Sequence, residues 1–312
     1  MMQIYSKLEY ICACYKFVHK LKQKIKMVNL QSFEVNGVKL HYTQSGNGQA
    51  ILFIPGSISD YRTWVGMSKK FEKNNTCYVL SRRFQFPDKY QTHGDSSVAA
   101  NTEDIATFIR DKKLGPATIV GHSFGGFIAL SLAIKYPHLV KSVIAEEPIF
   151  APALVRNPKN PLELLALMFR NFRAGKSFAR LGMKGIDPTF KSLAKGDTES
   201  AQRTFIDGVT EGKKTPQTLD ELTKQQLADN IAALAGEDPF INNLKLADTK
   251  QIACKVLLID GSDSPYVFRF INEQLEKNIP NVKRITIQHA AHWIHIDKPN
   301  EFETLVANFI NQ

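Results

Sequence analysis

The sequence predicts an α/β fold: a mostly parallel central sheet with helices on both faces and an inserted helical block. Short apolar segments alternate with longer segments of helical periodicity before residue 149 and again after residue 250. Strands that alternate with helices pair in parallel and are covered on both faces. Between these two parts the periodicity is helical, and no segment has strand character. We therefore expect a core of residues 28–148 and 251–312, with residues 149–250 as a helical insertion over the sheet.

Eight segments have strand character. Asn36-Gly37 separates the first two, and this dipeptide is typical of a two-residue β-hairpin turn. The third is uniformly apolar and stops at Pro55-Gly56. The strand segments are, in chain order, SFEV (32–35), VKLHYTQ (38–44), AILFIPG (50–56), CYVLSRR (77–83), ATIVGHS (117–123), KSVIAEEP (141–148), KVLLIDG (255–261) and KRITIQH (283–289).

Five segments outside the insertion have helical spacing. The second has the clearest boundaries, because Asn101 or Thr102 can cap its N-terminus and Gly115 can end it. The third follows Ser123 directly and stops before Pro137. The helical segments are residues 60–74, 102–115, 124–136, 266–279 and 301–312.

The positive charge of the chain is concentrated at its N-terminus. Residues 1–26 contain six lysines and one glutamate, so they hold half of the net charge of +10. These lysines follow the apolar part, no small-residue cleavage site is present and there is no arginine. Neither a secretory signal nor a mitochondrial peptide fits this pattern. We expect residues 1–27 to be a poorly ordered extension, with an amphipathic helix that contacts a membrane surface as the alternative.

The composition argues against several classes of protein. The hydrophobic share of 43% and the charged share of 22% are ordinary for a globular protein. No apolar run approaches the roughly 18 residues of a membrane span. Beyond the N-terminal segment no basic stripe is interleaved with aromatic residues, so we expect no nucleic-acid partner. The four cysteines (Cys12, Cys14, Cys77 and Cys254) form no C-x-x-C pair, which favours structural roles and a cytoplasmic location.

The segment GHSFG at residues 121–125 carries the strongest chemical signal. An apolar strand precedes it and a helix follows, which is the context that the G-x-S-x-G nucleophile motif requires. The turn is so tight that the residues two positions from the serine must lack side chains, and the serine hydroxyl then projects above the sheet. The following helix N-terminus offers free N–H groups to a developing negative charge. A glycine-rich turn that only packs helix on strand is the alternative.

A general base is expected late in the chain, where His289, His292 and His295 end and follow the last strand segment. His292 comes after two alanines, and these small residues leave its imidazole room to approach Ser123. We therefore predict His292 as the base and expect His289 and His295 to be supporting or surface groups. A metal site on the H-x-x-H-x-x-H spacing is the alternative, but the H-E-x-x-H motif is absent.

Four segments together resemble the α/β-hydrolase superfamily, over residues 31–312. In order they are similar to its oxyanion strand, nucleophile elbow, acid loop and histidine loop. The resemblance implies Ser123 as nucleophile, His292 as base, oxyanion donors from the backbone N–H groups of Ser57 and Phe124, and a cap domain formed by the insertion. The four segments are FIPGSISDYRTW (53–64), VGHSFGGFIALSLAIKYP (120–137), VLLIDGSDSP (256–265) and HAAHWIHIDKPNEF (289–302).

The acid departs from the family's pattern. The family usually shows G-x-x-D after the seventh strand, whereas here Ser264 stands at that distance from Gly261 and Asp263 comes one residue early. Some haloalkane dehalogenases instead carry the acid at the end of strand six, where this chain has Glu146 and Glu147. Any carboxylate that reaches the imidazole nitrogen opposite the serine can hold the tautomer and stabilise the imidazolium. We prefer Glu147 and keep Asp263 and Glu146 as alternatives.

Arg82-Arg83, at the end of the fourth strand segment, lies near the expected mouth of the site. This pair is a candidate for binding an anionic group of a substrate. Ordinary surface ion pairs are the alternative.

A serine nucleophile with a histidine base predicts acyl transfer to water through an acyl-enzyme. Dehalogenase and epoxide hydrolase activities are not expected, because in this superfamily they need an aspartate at the position of Ser123. We expect a serine hydrolase with no cofactor and no metal, acting on a small-molecule ester, lactone or thioester. The alternatives are a C–C bond hydrolase or lyase on the same residues, and a hydrolase-like protein that binds a ligand with little turnover.

Overall fold

The computed structural model describes residues 29–89, 94–240 and 242–311, and in them the chain forms one sheet of eight strands. All eight predicted strand segments are present. Asn36 and Gly37 both have positive φ and form the turn between the first two strands, as type I′ hairpins require. The strands are β1 (Leu30–Val35), β2 (Val38–Ser45), β3 (Gln49–Ile54), β4 (Asn75–Ser81), β5 (Ala117–His122), β6 (Val140–Glu146), β7 (Lys255–Gly261) and β8 (Val282–Ile287).

The strands are ordered β1-β2-β4-β3-β5-β6-β7-β8. β2 runs antiparallel to β4, and from β4 to β8 all neighbouring strands are parallel. After β3 the chain adds β4 on one side of it and then crosses over to add β5 on the other side. Open α/β sheets place their ligand sites at such a change of direction, here between β3 and β5. The carboxyl ends of β3, β5, β6, β7 and β8 meet at one edge, so the loops that follow them are neighbours.

The middle of the sheet is buried on both faces, since all six residues of β5 are buried. The predicted mostly parallel α/β architecture is therefore confirmed. The α-helices are α1 (Arg62–Ser68), α2 (Val98–Asp111), α3 (Phe124–Lys135), α4 (Pro161–Arg170), α5 (Phe172–Arg180), α6 (Asp187–Leu193), α7 (Thr198–Thr210), α8 (Glu221–Asn230), α9 (Tyr266–Asn278), α10 (Ile294–Asp297) and α11 (Pro299–Ile310).

The segment between β6 and β7 is a helical insertion. Its described residues form α4 to α8, one π-helical turn at Leu181–Ile186 and several 3₁₀ turns, joined by loops without strands. Asn160, Asp197 and Asp220 cap α4, α7 and α8 by accepting hydrogen bonds from backbone N–H groups of the first helical turn. These caps mark where separate short helices begin within the segment whose sequence has helical spacing.

Helices α1 and α2 have boundaries that differ from the sequence prediction by four residues or more, and α2 ends at Asp111, not at Gly115. α2 begins four residues earlier than expected, because Ser97 caps it by accepting a hydrogen bond from the N–H of Ala100 at 3.2 Å. α1 ends at Ser68, and turns follow it where the helix was expected to continue to residue 74. The predicted extension of residues 1–27 lies outside the described residues.

Cys77 and Cys254 are the cysteines within the described part of the chain, and both are unpaired. Burial raises the pKa of Cys77 to about 12 and that of Cys254 to about 11, so both stay protonated at neutral pH. Cys12 and Cys14 lie outside the described residues. Of the helices that the structure describes, none combines the length and the apolar character needed to cross a membrane.

Candidate active site

Ser123 occupies a sharp turn between β5 and α3. Its φ of 51° and ψ of −114° form a conformation that residues other than glycine rarely adopt. Its N–H donates to the carbonyl oxygen of Glu146 at 2.8 Å, which ties the turn to β6. A side chain on Gly121 would collide with the backbone of Gly125, and one on Gly125 would collide with the carbonyl oxygen of Ile54. The turn therefore requires both glycines of the motif.

The segment after β3 lies directly against this turn. A Cβ placed on Gly56 would lie 3.4 Å from the Cβ of Ser123 and 2.8 Å from Nδ1 of His122. Ser57 is the next residue. Phe124 is the first residue of α3, where a helix N–H has no partner within the helix. The two residues predicted as oxyanion donors, Ser57 and Phe124, thus belong to segments that adjoin Ser123.

Three of the predicted residues form a continuous hydrogen-bonded chain. Oγ of Ser123 lies 3.1 Å from Nε2 of His292, and Nδ1 of His292 lies 2.7 Å from Oε2 of Glu147. With the proton of this pair on Nδ1, Nε2 keeps the lone pair that accepts the serine hydroxyl. The other oxygen of Glu147 accepts the N–H of Gly261 at 2.9 Å, which fixes the carboxylate. This geometry suits a nucleophile, a base and an acid.

Packing also holds the imidazole of His292. The ring of Phe268 stacks on it with centroids 4.1 Å apart and planes 21° apart. His122 donates from Nε2 to the carbonyl oxygen of His292 at 2.8 Å. His292 is 3% exposed and Ser123 is 9% exposed. The ring therefore has one well-defined orientation in a site that bulk water barely reaches.

Burial shifts the pKa values of the acid and the base in opposite directions. It lowers the pKa of His292 to about 3, although Glu146 opposes this shift. It raises the pKa of Glu147 well above the ordinary value of a carboxyl group. His292 therefore remains neutral at neutral pH, as a base must before it accepts a proton.

Asp263 lies apart from this group. Its side chain is exposed and accepts a hydrogen bond from the Ser262 hydroxyl at 3.0 Å. Ser264, which stands where the family usually has its acid, has a buried hydroxyl oxygen that lies beside the Glu147 carboxylate and favours its ionised form. The turn after β7 thus directs residue 264 inward and residue 263 outward, and it does not bring Asp263 to His292.

A model of the alpha/beta hydrolase fold matches residues 49–299 of the chain. The chain belongs to this family. The match includes Ser123, His292, Glu147 and the helical insertion, so the residues described above lie within the family's own domain.

Three proteins similar to this alpha/beta hydrolase are 16–22% identical to it in sequence. Bifunctional epoxide hydrolase 2 of Sus scrofa is 22% identical over 320 residues; the match covers 88% of this chain, which spans only about half (53%) of that enzyme's length. MenH from S. aureus has a TM-score of 0.65 at 21% identity, covering 86% of this chain and 97% of that one. Carboxylesterase CesB (YbfK) from Bacillus subtilis has a TM-score of 0.67 at 16% identity, covering 95% and 97%. The structural likeness shows the fold.

A second buried Glu–His pair lies beside the first in this hydrolase. The carboxylate of Glu146 accepts the backbone N–H of His295 at 3.0 Å and contacts Nδ1 of the same residue at 2.8 Å. Trp64 packs on the ring of His295 at 4.5 Å. Burial raises the pKa of Glu146, but His295 and His122 outweigh burial and hold it below its ordinary value. The carboxylate of Glu146 therefore binds His295 and not His292. This pair holds the loop that carries His292 in place.

This second pair was not expected, although a sequence signal for it exists. Two adjacent glutamates at the end of a strand face two histidines three residues apart. Glu146 ends β6 and Glu147 follows it with φ 42°, so the two side chains leave the strand end in different directions. One glutamate can therefore reach the first histidine while its neighbour reaches the second.

His289 is exposed, has φ 56° and donates its backbone N–H to the Ser262 hydroxyl at 2.8 Å. The three histidines of the H-x-x-H-x-x-H spacing therefore lie in three different surroundings. Among the residues that the structure describes, no three His, Cys, Asp or Glu side chains come together in a way that could hold a metal ion.

Arg82 and Arg83 are both buried and paired with carboxylates. Arg82 donates to Glu237 of the insertion at 2.6 Å and to the carbonyl oxygen of Gly56 at 2.9 Å. Arg83 donates to both carboxylate oxygens of Asp104 at 2.7 and 2.8 Å. The expected ion pairs exist, but inside the protein and not on its surface. Through Gly56, Arg82 supports the segment that carries Ser57.

Proposed function

We propose that this alpha/beta hydrolase is a serine esterase that hydrolyses a small carboxylic ester, lactone or thioester without a cofactor. The observation that carries the proposal is the hydrogen-bonded chain from Ser123 through His292 to Glu147. The structural likeness to a carboxylesterase agrees with this chemistry. The relative named as an epoxide hydrolase does not change it, because position 123 is a serine, whose attack on a carbonyl gives an acyl-enzyme.

The proposed reaction begins when Nε2 of His292 takes the proton of the Ser123 hydroxyl. Oγ then attacks the carbonyl carbon, and the oxyanion accepts hydrogen bonds from the N–H groups of Ser57 and Phe124. His292 next protonates the leaving group, and an acyl-enzyme remains. Water, deprotonated by the same imidazole, attacks the acyl carbonyl, and the acid leaves as Ser123 recovers its proton. Glu147 stabilises the imidazolium in both halves of the reaction.

The first experiment is labelling of the full chain with a fluorophosphonate probe, which reacts with activated serines. We expect Ser123→Ala and His292→Ala to abolish labelling, because the first removes the nucleophile and the second removes its base. Ser200→Ala, which removes a hydroxyl on α7 in the insertion, is the matched control and should label like the wild type. A folded wild type that resists the probe would contradict the esterase proposal and favour a protein that binds its ligand with little turnover.

The pH dependence gives an independent check. His292 acts as a base only when neutral, and burial lowers its pKa below the ordinary 6.5 of histidine. A lowered pKa means that the imidazole becomes charged only at more acidic pH. We therefore expect kcat/KM for a soluble ester to stay level as the pH falls through 6.5 and to decline only below it. An acidic limb centred at or above 6.5, measured where circular dichroism shows the protein to be folded, would contradict this picture.

A further inference from the structure

An unpartnered apolar stripe runs along the outside of the insertion. Leu162, Leu165 and Phe169 on α4 are 71%, 48% and 83% exposed, and Phe172 at the start of α5 is 70% exposed. The first three are spaced three and four residues apart, which places them on one face of the helix. Single exposed apolar residues are common on protein surfaces, but four in eleven residues call for an explanation. We call these four residues the apolar stripe.

The surroundings of the apolar stripe are strongly basic. Residues 156–184 contain seven lysines and arginines and a single carboxylate, Glu163. Lys159 precedes α4, and Arg173 and Lys176 follow Phe172; all three are exposed. Ion pairs within the described part of the chain do not include any of these three. The charges of Lys159 and Lys176 are therefore available to a partner, whereas the guanidinium of Arg173 lies over the ring of Tyr266, 4.2 Å from its centroid.

The carboxylate of Glu163 offsets only one of the seven positive charges in residues 156–184. It accepts the backbone N–H groups of Arg156 at 2.6 Å and Asn157 at 3.2 Å, and these bonds lower its pKa. Glu163 thus serves to fix the turn before α4. The stripe and its flanks present apolar and positive groups to solvent.

We propose that the apolar stripe and its basic flanks dock this hydrolase on an anionic lipid surface. Leucine and phenylalanine on one face with lysine and arginine beside them are the composition of helices that lie in a membrane interface. The apolar side chains enter the boundary between head groups and acyl chains, while Lys159 and Lys176 contact the negatively charged head groups. This inference concerns binding and stands independently of the proposed esterase activity.

The exposure of the stripe favours a lipid surface over a protein partner. Side chains that are more than two-thirds exposed, such as Phe169 and Phe172, project into solvent and have few neighbours. A protein partner that buries such side chains must supply a groove for them, whereas a lipid surface accepts projecting apolar groups of any arrangement. The positive flanks also repel one another, which disfavours direct contact between the stripes of two copies of this chain.

The test is co-sedimentation of the full chain with vesicles of phosphatidylcholine containing about one-third phosphatidylglycerol, with pure phosphatidylcholine for comparison. We expect the wild type to bind the anionic vesicles, and added salt to weaken binding. Leu162→Ser, Leu165→Ser, Phe169→Ser and Phe172→Ser combined should weaken it by about tenfold or more. Lys159→Glu with Lys176→Glu should also weaken it.

The matched controls change equivalent groups elsewhere. Leu222→Ser with Ile296→Ser removes apolar residues that are 41% and 38% exposed, and Lys69→Glu with Lys277→Glu reverses exposed charges away from the stripe. These variants should bind like the wild type. The wild type and all variants retain the lysines of residues 1–26. A difference in vesicle binding between the wild type and the stripe variant therefore reports on the stripe.

Three results would overturn the proposal. The wild type could fail to bind the anionic vesicles, or the stripe variant could bind them as tightly as the wild type. In the third result, light scattering would show that the wild type is a dimer and the stripe variant a monomer, and neither protein would bind the vesicles. That result would assign the stripe to a second copy of the chain. Circular dichroism and hydrolysis of a soluble ester verify that each variant is folded.

Discussion

Replacing Glu147 by glutamine is expected to lower kcat by about 10,000-fold, the scale on which enzymes with this arrangement respond to loss of the acid. The amide can donate as well as accept, so it no longer selects the tautomer that leaves Nε2 of His292 free for the serine proton. It also leaves the imidazolium without a negative partner in a buried site. Steady-state hydrolysis of a soluble ester, with the folding of the variant verified, measures the effect.

Asp263→Asn is the matched control for this substitution, since it makes the same chemical change in the alternative carboxylate, which lies in the acid loop after β7. Asp263 is exposed and contacts Ser262, not His292. We expect kcat to stay within about a factor of three, in line with the small effects of surface substitutions. Full activity of Glu147→Gln together with a large loss in Asp263→Asn would show that the acid has been assigned wrongly.

Removal of the carboxylate of Glu237 is expected to destabilise the fold by about 3–5 kcal/mol, because it leaves the charge of Arg82 buried without a partner. Arg82 is 1% exposed and Glu237 is 3% exposed, and their charged atoms are 2.6 Å apart. Glu237→Ala should therefore shift the midpoint of urea unfolding strongly. It should also lower kcat, because Arg82 donates to the carbonyl oxygen of Gly56 and packs over the ring of Phe124 at 4.8 Å.

Two comparisons sharpen this prediction. Glu221→Ala breaks an exposed pair with Lys224, whose side chains are 90% and 35% exposed, and should cost less than about 1 kcal/mol. Arg82→Met combined with Glu237→Leu removes both buried charges and should recover much of the stability lost in Glu237→Ala. A loss in Glu237→Ala no larger than that in Glu221→Ala would mean that the pair is not the stabilising contact the structure indicates.

The error at the start of α2 arose because several neighbouring polar residues can each cap a helix. We expected Asn101 or Thr102 to cap α2, and both predictions are wrong. In the structure Ser97 caps the helix, while Asn101 donates to the carbonyl oxygen of Ser96 and Thr102 donates to that of Val98. Local patterns were sufficient where one signal stood alone, as in the strand predicted at residues 255–261 and observed as β7.

The nucleophile turn is the part of the site that the sequence determined by itself. The requirement for glycine at position 121 is local, because a side chain there would collide with the backbone of Gly125. The requirement at position 125 comes instead from the carbonyl oxygen of Ile54, which is distant in sequence and ends β3. The hydrophobic periodicity of the sequence predicted a strand before the motif and a helix after it. The turn at Ser123 therefore follows from adjacent residues, and the neighbouring strand β3 adds the constraint on Gly125.

Which of the three candidate carboxylates contacts His292 was decided by the tertiary structure. Glu146, Glu147 and Asp263 all come between the serine and the histidine, so chain order does not separate them. The structure separates them because the N–H of Glu147 donates to the carbonyl oxygen of Ile259 at 2.9 Å and its backbone takes φ 42°. This pairing of β6 with β7 sends Glu147 to His292 and Glu146 to the opposite side. Side-chain direction at a strand end depends on the neighbouring strand, which lies more than a hundred residues away in sequence.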